Sequence, residues 1–451
     1  MARTAKKEKA LTPEEKLAQA LVPDVEQPYL VPENWCWTTV GAINNYVGNS
    51  VDPLKEPDSI FELYSVPSSA ENFPELIEGK EIGSTKQSVK KGDVLLCKIN
   101  PRINRVWHVA QYTDNPLIAS SEWIVIRNIQ ISSKYLMWCM QSGYFREYML
   151  SNVSGVGGSL MRAQPKHVRG YPIPLAPLTE QQRIVDRIES LFAKLDEAKE
   201  KAQAVVDGFE DRRAAILHKA FTGELTEKWR KQHGVPITTW KEQALEKVCE
   251  SIYDGDHLPP PKSEQGIPFL VISNVNTGHL SFENTRFVPQ EYYDNLSDTR
   301  KPELGDVLYT LVGSFGIPVI VDDERPFCFQ RHMALLKPKN VNTFYLWYHL
   351  QSPDFFSKAL SIATGTAQLT VPIKGLRRLT IMLPEYKEQT EVVRILNILL
   401  EKEQQAKEAA EQVIDQIDSM KKSILARAFR GELGTNDPSD ESAVEQLKQI
   451  L

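Results

Sequence analysis

The chain has 451 residues, with 53 lysines and arginines against 59 aspartates and glutamates and a formal net charge of −6. That balance excludes binding to nucleic acid through overall positive charge, although a local basic patch is compatible with it. The five cysteines are scattered without a paired motif, which favours a reduced intracellular protein over a disulfide framework or a structural zinc site.

The N-terminal arm, residues 1–31, is predicted to hold one short helix. Thr12-Pro13-Glu14-Glu15 supplies an N-cap, a proline at the first helical position and a capping-box acid. Residues 1–9 are charged and lack the apolar stretch of a signal peptide. No segment approaches the roughly 18 apolar residues of a membrane span. We therefore expect a cytoplasmic protein.

Two segments of globular length, 32–178 and 226–385, show the same landmarks in the same order. Residues 92–97 and 123–126 are typical of strands, and residues 305–308 repeat the Gly-Asp-Val-Leu that begins the first of them. A helix with a Tyr-Leu start follows in each segment, and the remaining sequence diverges. We predict two α/β domains of one α+β protein, with a shared frame and different loops, as in two related readers of different targets.

A helical cassette follows each domain. Residues 180–225 align with residues 388–433 at a constant offset of 208, with 18 identities in 46 positions, and both copies end in Ala-Phe-x-Gly-Glu-Leu. This period marks a duplicated half-molecule and not a solenoid of short repeats. We predict long helices at 179–225 and 386–433, and a helical tail at 434–451.

The apolar spacing in each cassette alternates between four and three residues, which predicts a left-handed coiled coil. The first seam contains Ile184, Ile188, Leu191, Leu195, Ala198, Ala202, Val205, Phe209 and Ile216. The second contains Val392, Leu396, Leu399, Glu403, Ala406, Ala410, Val413, Ile417, Met420 and Ile424. Lys194 or Lys201 could pair with Glu403, or its side chain could reach solvent.

About 40 helical residues make a rod of roughly 60 Å. Antiparallel pairing of the two helices would relate the domains by an approximate two-fold axis. The alternative is two separate surface helices, each packed on its own domain.

Catalytic motifs are absent from the sequence. There is no glycine-rich phosphate loop, no HExxH, no GxSxG and no Asn-Pro-Pro-aromatic tetrapeptide. His257 and His332 lack a metal-ligand partner three or four residues away, and the acidic residues 322–324 are better interpreted as a solvated turn. We therefore predict no catalytic residue and no metal site.

Polar loops suggest contact with a nucleic acid. A basic, asparagine-rich stretch, residues 98–105, directly follows a strand, and Lys166 and Arg169 align with Lys374 and Arg377 at the same offset of 208. A basic pair present in both copies suits phosphate contacts, although solvated residues leading into a helix are the alternative. The turn at 253–257 and the loops at 155–159 and 365–368 could present side chains to base edges, or form ordinary turns. The predicted DNA-binding residues are Lys98, Arg102, Arg105, Ser159, Arg162, Lys166, Arg169, Asp256, His257, Arg331, Thr366, Gln368, Lys374 and Arg377.

The chain resembles the specificity subunit of type I restriction-modification enzymes over nearly its whole length. The resemblance rests on residues 174–182 at the start of the first cassette, on the Ala-Phe-x-Gly-Glu-Leu endings, and on Asp254-Gly255-Asp256-His257, which is similar to the family's Asp-Gly-Thr-His. Residues 383–389 are a weaker copy of the first cassette start, and Asp256 replaces the usual threonine.

This resemblance implies a non-catalytic DNA-recognition subunit with two target recognition domains, one for each half of an asymmetric bipartite target. It also implies two modification subunits that methylate adenine with S-adenosylmethionine, and two motor-nuclease subunits that use ATP and Mg²⁺ and cut unmethylated DNA, including that of phage. No cofactor is expected on this chain. A coiled-coil adaptor that binds only proteins remains the alternative.

Overall fold

The computed structural model describes residues 11–151, 153–154, 161–255, 260–366 and 368–451. Contacts divide the chain into a first unit, Met1–Lys201 with Val413–Leu451, and a second unit, Ala202–Gln412. The boundaries fall inside the two longest helices, so each unit contains part of both.

The first unit begins with a mixed set of short helices and strands. In chain order these are α1 (Pro13–Ala20), β1 (Cys36–Thr39), α2 (Val40–Ile43), β2 (Ser50–Val51), β3 (Ile60–Tyr64), β4 (Glu75–Glu78), β5 (Lys86–Ser88), β6 (Val94–Cys97), β7 (Val106–His108), β8 (Leu117–Ala119), β9 (Trp123–Ile126), α3 (Ser133–Gln141), α4 (Gly143–Ser151), β10 (Val153–Ser154), β11 (Arg162–Ala163), α5 (Pro165–Val168) and β12 (Pro172–Leu175). The cassette helix α6 (Leu178–Asp207) follows and crosses into the second unit, which contains α7 (Phe209–Phe221).

The second unit repeats the mixed pattern. Its elements are α8 (Glu227–His233), β13 (Lys241–Ala244), α9 (Leu245–Val248), β14 (Cys249–Asp254), β15 (Ile267–Leu270), β16 (Arg286–Val288), α10 (Gln290–Asp294), β17 (Val307–Thr310), β18 (Pro318–Ile320), β19 (Cys328–Phe329), β20 (Met333–Pro338), α11 (Thr343–Leu350), α12 (Pro353–Ser361), α13 (Ile373–Arg378) and β21 (Thr380–Leu383). The second cassette helix, α14 (Tyr386–Ala428), is followed by α15 (Ala443–Ile450). The predicted α+β class is confirmed, and so is the N-terminal helix with its Thr12 capping box.

In the first unit, a five-stranded sheet has the order β2-β5-β8-β3-β4, with β3 and β8 parallel, and a separate antiparallel sheet has the order β7-β6-β9. In the second unit, the antiparallel sheet β14-β20-β17-β18 accompanies a three-stranded sheet, β16-β15-β19. Strand β6 is buried along its whole length, and so is β17. Strands that are buried along their whole length give the loops that follow them a rigid support.

Cassette helices pair antiparallel within each unit. In the first unit Lys199 Nζ lies 2.9 Å from Asp418 Oδ1, and Asp196, three residues earlier, pairs with Lys421, three residues later. In the second unit Arg212 Nε donates to Glu403 Oε2 at 2.7 Å, and Phe209, three residues earlier, contacts Lys407, four residues later. The antiparallel prediction is therefore confirmed in each unit. Lys194 and Lys201 were predicted as partners of Glu403, and that prediction was wrong.

The predicted seam of α14 was wrong at three positions. Ala406 is exposed, and Val413 and Met420 keep 41% and 48% of their surface exposed. Instead of Ala406 and Met420, the lysines that follow them face the partner helix. Lys407 Nζ lies 4.7 Å from the centre of the Phe209 ring, and Lys421 Nζ lies 5.0 Å from the centre of the Phe192 ring. A lysine stem can cover an aromatic ring while its ammonium stays hydrated, so an apolar spacing rule overlooks it.

The first cassette was also predicted as one unbroken helix, but it is interrupted at Gly208. Glycine is a poor helix former. The Arg212 guanidinium donates to the Val205 carbonyl at 2.8 Å, and a Cβ at Gly208 would lie 2.6 Å from that guanidinium. Gln416 occupies the corresponding place in α14, which continues through it.

Both cassettes end four or five residues earlier than predicted, because the Ala-Phe-x-Gly-Glu-Leu motif terminates a helix. Gly223 and Gly431 adopt left-handed φ values of 85° and 75°, which glycine adopts without strain. A Cβ at Gly431 would lie 2.4 Å from Pro32 Cγ, and one at Gly223 would lie 2.6 Å from Ile237 Cδ1. The motif therefore fixes how each long helix meets the neighbouring segment of its own unit.

The first turn of each cassette helix contains a buried glutamate. Glu180 accepts hydrogen bonds from Trp35 Nε1 at 2.6 Å and Asn436 Nδ2 at 2.8 Å. Glu388 accepts from Arg230 Nη1 at 2.8 Å. Buried carboxylates require such donors, so these residues anchor the N-terminal ends of the helices.

Candidate nucleic-acid interface

A loop follows a fully buried strand in each unit, and we call it the post-strand loop: residues 98–105 after β6 and residues 311–317 after β17. The first loop is held by two backbone hydrogen bonds, Ala163 N to Lys98 O and Asn100 N to Met161 O, both 2.9 Å long. The second loop has the same pair at the offset of 208 on the far side, with Val371 N to Leu311 O at 2.9 Å and Gly313 N to Leu369 O at 3.0 Å. The two loops therefore occupy equivalent places in their own units.

The post-strand loop of the first unit is basic. Arg102 is exposed, and Lys98 and Arg105 are partly exposed. Asn100 and Asn104 adopt left-handed φ values of 47° and 53°, a conformation that asparagine tolerates better than most residues. These two asparagines bracket a short 3-10 turn that presents Arg102 to solvent.

Further anchoring comes from the helices beside this loop. Asn104 Nδ2 donates to the Met140 carbonyl at 3.2 Å, and the guanidinium of Arg146 donates to the Arg102 carbonyl. Arg146 lies on α4, 44 residues from Arg102, and it was not among the predicted residues. Because the local sequence around Arg146 contains no loop signal, only the tertiary contact identifies it.

Strand β11 adds another cation beside the same loop. Arg162 forms an ion pair with Glu122 at 3.2 Å while 55% of its side chain stays exposed. Lys166 and Arg169 follow, on and directly after α5, and both are exposed. The first unit therefore brings Lys98, Arg102, Arg105 and Arg162 together around one loop, with Lys166 and Arg169 on the next element. Ser159 lies outside the described residues.

Burial raises the pKa of the Cys97 thiol, at the end of β6, although the Ile99 carbonyl hydrogen bond and the nearby Arg105 act in the opposite direction. The thiol is therefore protonated at neutral pH, and it adds no negative charge beneath the basic loop.

The post-strand loop of the second unit contains no charged residue. Gly313 and Gly316 have φ values of 72° and 93°, and Gly313 and Ser314 are exposed. The Thr310 hydroxyl donates to the Ser314 carbonyl at 2.8 Å and accepts from Ile317 N at 2.9 Å. These bonds close the loop into a compact turn with little side-chain bulk at its tip.

A hairpin-like segment that contains Thr366 and Gln368 lies against this turn. Thr364 and Thr370 exchange two backbone hydrogen bonds, 2.9 and 2.8 Å long, at its base. A Cβ at Gly313 would lie 3.0 Å from Gln368 Nε2, so the Gln368 carboxamide lies next to the turn. Gln368 and Thr366 are both exposed.

Arg331 is exposed in the connection between β19 and β20. Gly255 approaches the same connection closely: a Cβ there would lie 2.8 Å from Arg331 N and 2.2 Å from Phe329 O, so only glycine fits. The start of the turn predicted from Asp254-Gly255 therefore lies beside Arg331. Asp256 and His257 lie outside the described residues. Burial and the neighbouring Arg331 lower the pKa of His332.

The basic pair on α13 differs from its counterpart near α5. Lys374 is exposed like Lys166. Arg377, however, donates from Nε and Nη2 to the Ile252 carbonyl at 2.9 and 2.5 Å, and its guanidinium carbon lies 4.8 Å from the centre of the Tyr253 ring. Arg377 thus ties α13 to β14, and a phosphate would have to compete with those contacts.

Within the described ranges, no group of three or more His, Cys, Asp and Glu side chains could hold a metal ion. The helices of those ranges include none that is long and apolar enough to cross a bilayer. The first post-strand loop offers basic side chains and the second offers hydrogen-bonding groups, a combination that suits a polyanion with readable edges.

Comparison with known proteins identifies relatives of this chain. Residues 238–414 match the family described as the type I restriction modification DNA specificity domain. The specificity subunit of the type I restriction enzyme EcoKI from Escherichia coli is 26% identical over 314 residues, which cover 67% of this chain and 66% of that protein, slightly less than two thirds of its length. The MjaVIII specificity subunit from Methanocaldococcus jannaschii is 23% identical over 435 residues, 89% of this chain and 94% of its own.

Solved structures share the fold. The HsdS subunit from Thermoanaerobacter tengcongensis superposes with a TM-score of 0.66 at 23% identity, over 91% of this chain and 100% of its own. A chain from a structure of complex assembly and conformational transition in a type I R-M system gives a TM-score of 0.70 at 23% identity, over 90% and 100% of the two chains.

Proposed function

The chain is a relative of the specificity subunits of type I restriction enzymes, and from that premise we propose that it is the non-catalytic DNA-recognition subunit of such a complex. Each unit contacts one half of a bipartite target through its post-strand loop and the segments packed beside it. The observation that supports this most directly is the pair of equivalent backbone frames, 98–100 with 161–163 and 311–313 with 369–371, which hold loops of unrelated composition. Equivalent frames with different loops suit a target whose two halves differ.

The paired cassette helices are proposed to set the distance between the half-sites. Helices of this length could hold two readers about one duplex turn, 34 to 36 Å, apart. Inserting four residues into α6 and four into α14 adds about 6 Å to each helix. We expect the preferred spacer to lengthen by one or more base pairs, measured by footprinting. An unchanged spacer would contradict the ruler role.

The same helices are proposed to recruit the partner subunits. Two modification subunits would supply S-adenosylmethionine and methylate adenine, and two motor-nuclease subunits would supply ATP and Mg²⁺ chemistry. In this proposal the present chain contributes recognition and scaffolding, and the reacting groups belong to its partners.

Mapping methylated adenines across the genome of a host that expresses the complete system tests the proposal. We expect one asymmetric split motif, which disappears when this chain is deleted. A host in which deletion leaves the methylation pattern intact would refute the recognition role.

A coiled-coil adaptor that binds only proteins is the second candidate, and the net charge of −6 favours it. The purified chain, alone and with co-produced methyltransferase subunits, separates the two. A recognition subunit prefers some duplex sequences over others by a factor of 10³ or more. An adaptor shows at most weak, salt-labile binding without sequence preference.

A further inference from the structure

The two post-strand loops occupy equivalent places but differ completely in charge. Residues 98–105 contain three cations, and Arg146 and Arg162 lie against the same loop. Residues 311–317 contain none, and the exposed tip is formed by Gly313 and Ser314. Because the supporting backbone frames match, the difference lies in what the loops offer a ligand and not in where they stand in each unit.

We infer that the two units divide DNA recognition between them: the post-strand loop of the first unit supplies most of the phosphate contact, and that of the second unit, with Gln368, reads a base edge. This inference rests on the proposed function, and it assigns different chemistry to the two halves of the same task.

The first half of the inference follows from charge and exposure. Arg102 is exposed at the tip of a turn that two left-handed asparagines and the Arg146 contact hold in place. Held cations neutralise phosphates and release counterions, and each such contact contributes about 0.9 to the slope of log affinity against log salt. Among the ion pairs of the described residues, Arg162 shares its charge with a carboxylate, Glu122, at 3.2 Å.

The second half follows from shape and hydrogen-bonding capacity. A turn with glycine at its tip lets the backbone approach a groove closely. The carboxamide of Gln368 lies beside Gly313, and a glutamine side chain can donate to and accept from adenine N7 and N6 at once. Gly313 is a positioning residue, because at its φ of 72° an alanine would be strained and its methyl group would press on Gln368 Nε2 at 3.0 Å.

The test uses the full-length chain co-produced with methyltransferase subunits. A preferred duplex is first selected from a random-sequence library, and its affinity is then measured from low to moderate salt. Replacing Lys98, Arg102 and Arg105 by glutamine together is expected to lower the salt slope by about 2 to 3 and to keep the base preference. Arg102→Gln alone, at an exposed site, should lower it by about 1 and serves if the triple variant folds poorly.

A matched triple in the second unit replaces the exposed cations Arg331, Lys374 and Arg378 by glutamine. We expect it to lower the slope by less than half as much as the first-unit triple. Glutamine at the exposed Lys219 and Lys228, which lie on the helices α7 and α8, removes two charges away from both loops and should leave the slope unchanged. Equal losses from the two triples would overturn the division.

Base reading is tested separately by Gln368→Ala and Gly313→Ala. Both should relax preference at the same base pair, by roughly tenfold or more, without changing the salt slope. Gln368→Ala that weakens binding to all sequences equally would overturn the assignment of this side chain. Wild-type protein with no sequence preference at all would instead refute the proposed function, so the two failures are distinguishable.

Discussion

His349 gives the sharpest pH prediction, because this imidazole is buried in the second unit. Its Nε2 accepts a hydrogen bond from Met382 N at 3.3 Å, which requires an unprotonated nitrogen, and its ring lies 4.3 Å from that of Phe221. The pKa of His349 is lowered to about 3, mainly by burial; Lys358 acts in the same direction, and a backbone hydrogen bond and Asp354 act in the opposite direction. The folded protein therefore holds this side chain neutral.

The sign of the effect follows from linkage. The unfolded chain binds a proton on this histidine below pH 6.5, whereas the folded chain does so only near pH 3. The stabilisation is thus complete above pH 6.5 and is lost as the pH falls toward 3. Between pH 7.5 and pH 5 the loss amounts to about 2 kcal/mol of unfolding free energy, from 1.4 kcal/mol per pKa unit.

Cys139 occupies the corresponding position of α3 in the first unit, so His349→Cys is a natural comparison. The free energy of unfolding in urea is measured for the wild type and the variant at several pH values, and hydrogen exchange of the α11 amides reports the stability of that helix. We expect the stability difference between the two proteins to change by about 2 kcal/mol from pH 7.5 to pH 5. A difference that stays constant over this range would refute the reasoning.

Three further predictions concern the helix ends, the helix pair and the DNA surface. Gly431→Ala should lower the free energy of unfolding by about 2 kcal/mol or more, because it adds both a left-handed alanine and a clash with Pro32. Gly234→Ala has open space around it and should lower the free energy of unfolding only by the roughly 1 kcal/mol of backbone strain. Equal losses, measured by thermal unfolding, would show that the clash contributes nothing. Arg212→Met should destabilise the protein by about 1 kcal/mol and Glu403→Gln by less. Because this ion pair is only half-buried, salt reaches it, and both losses should shrink in 1 M salt. A loss that does not depend on salt would indicate that Arg212 acts through packing. Lys166→Ala should weaken binding to all duplexes equally and lower the salt slope by about 1, and a changed sequence preference in this variant would contradict phosphate contact.

The sequence by itself determined the plan of the molecule. The offset of 208 between the cassettes and the repeated Gly-Asp-Val-Leu landmark predicted two related α/β domains and two long helices, because apolar periodicity depends on the local helical or strand repeat. The basic loop at 98–105 was also predictable, since consecutive residues supply its charge. Local patterns of this kind need no knowledge of distant contacts.

Only the tertiary structure decided which residues meet. Arg146 joins the basic loop through a contact with Arg102 across 44 residues of sequence, and Arg377 is occupied by the Ile252 carbonyl although it aligns with the exposed Arg169. Equal positions in an alignment do not give equal partners, because the partners lie on other segments. The contacts between the cassette helices could not be predicted from spacing either. Lys407 and Lys421 face Phe209 and Phe192 because those rings lie opposite them on the partner helix, and the residue spacing along α14 does not show this.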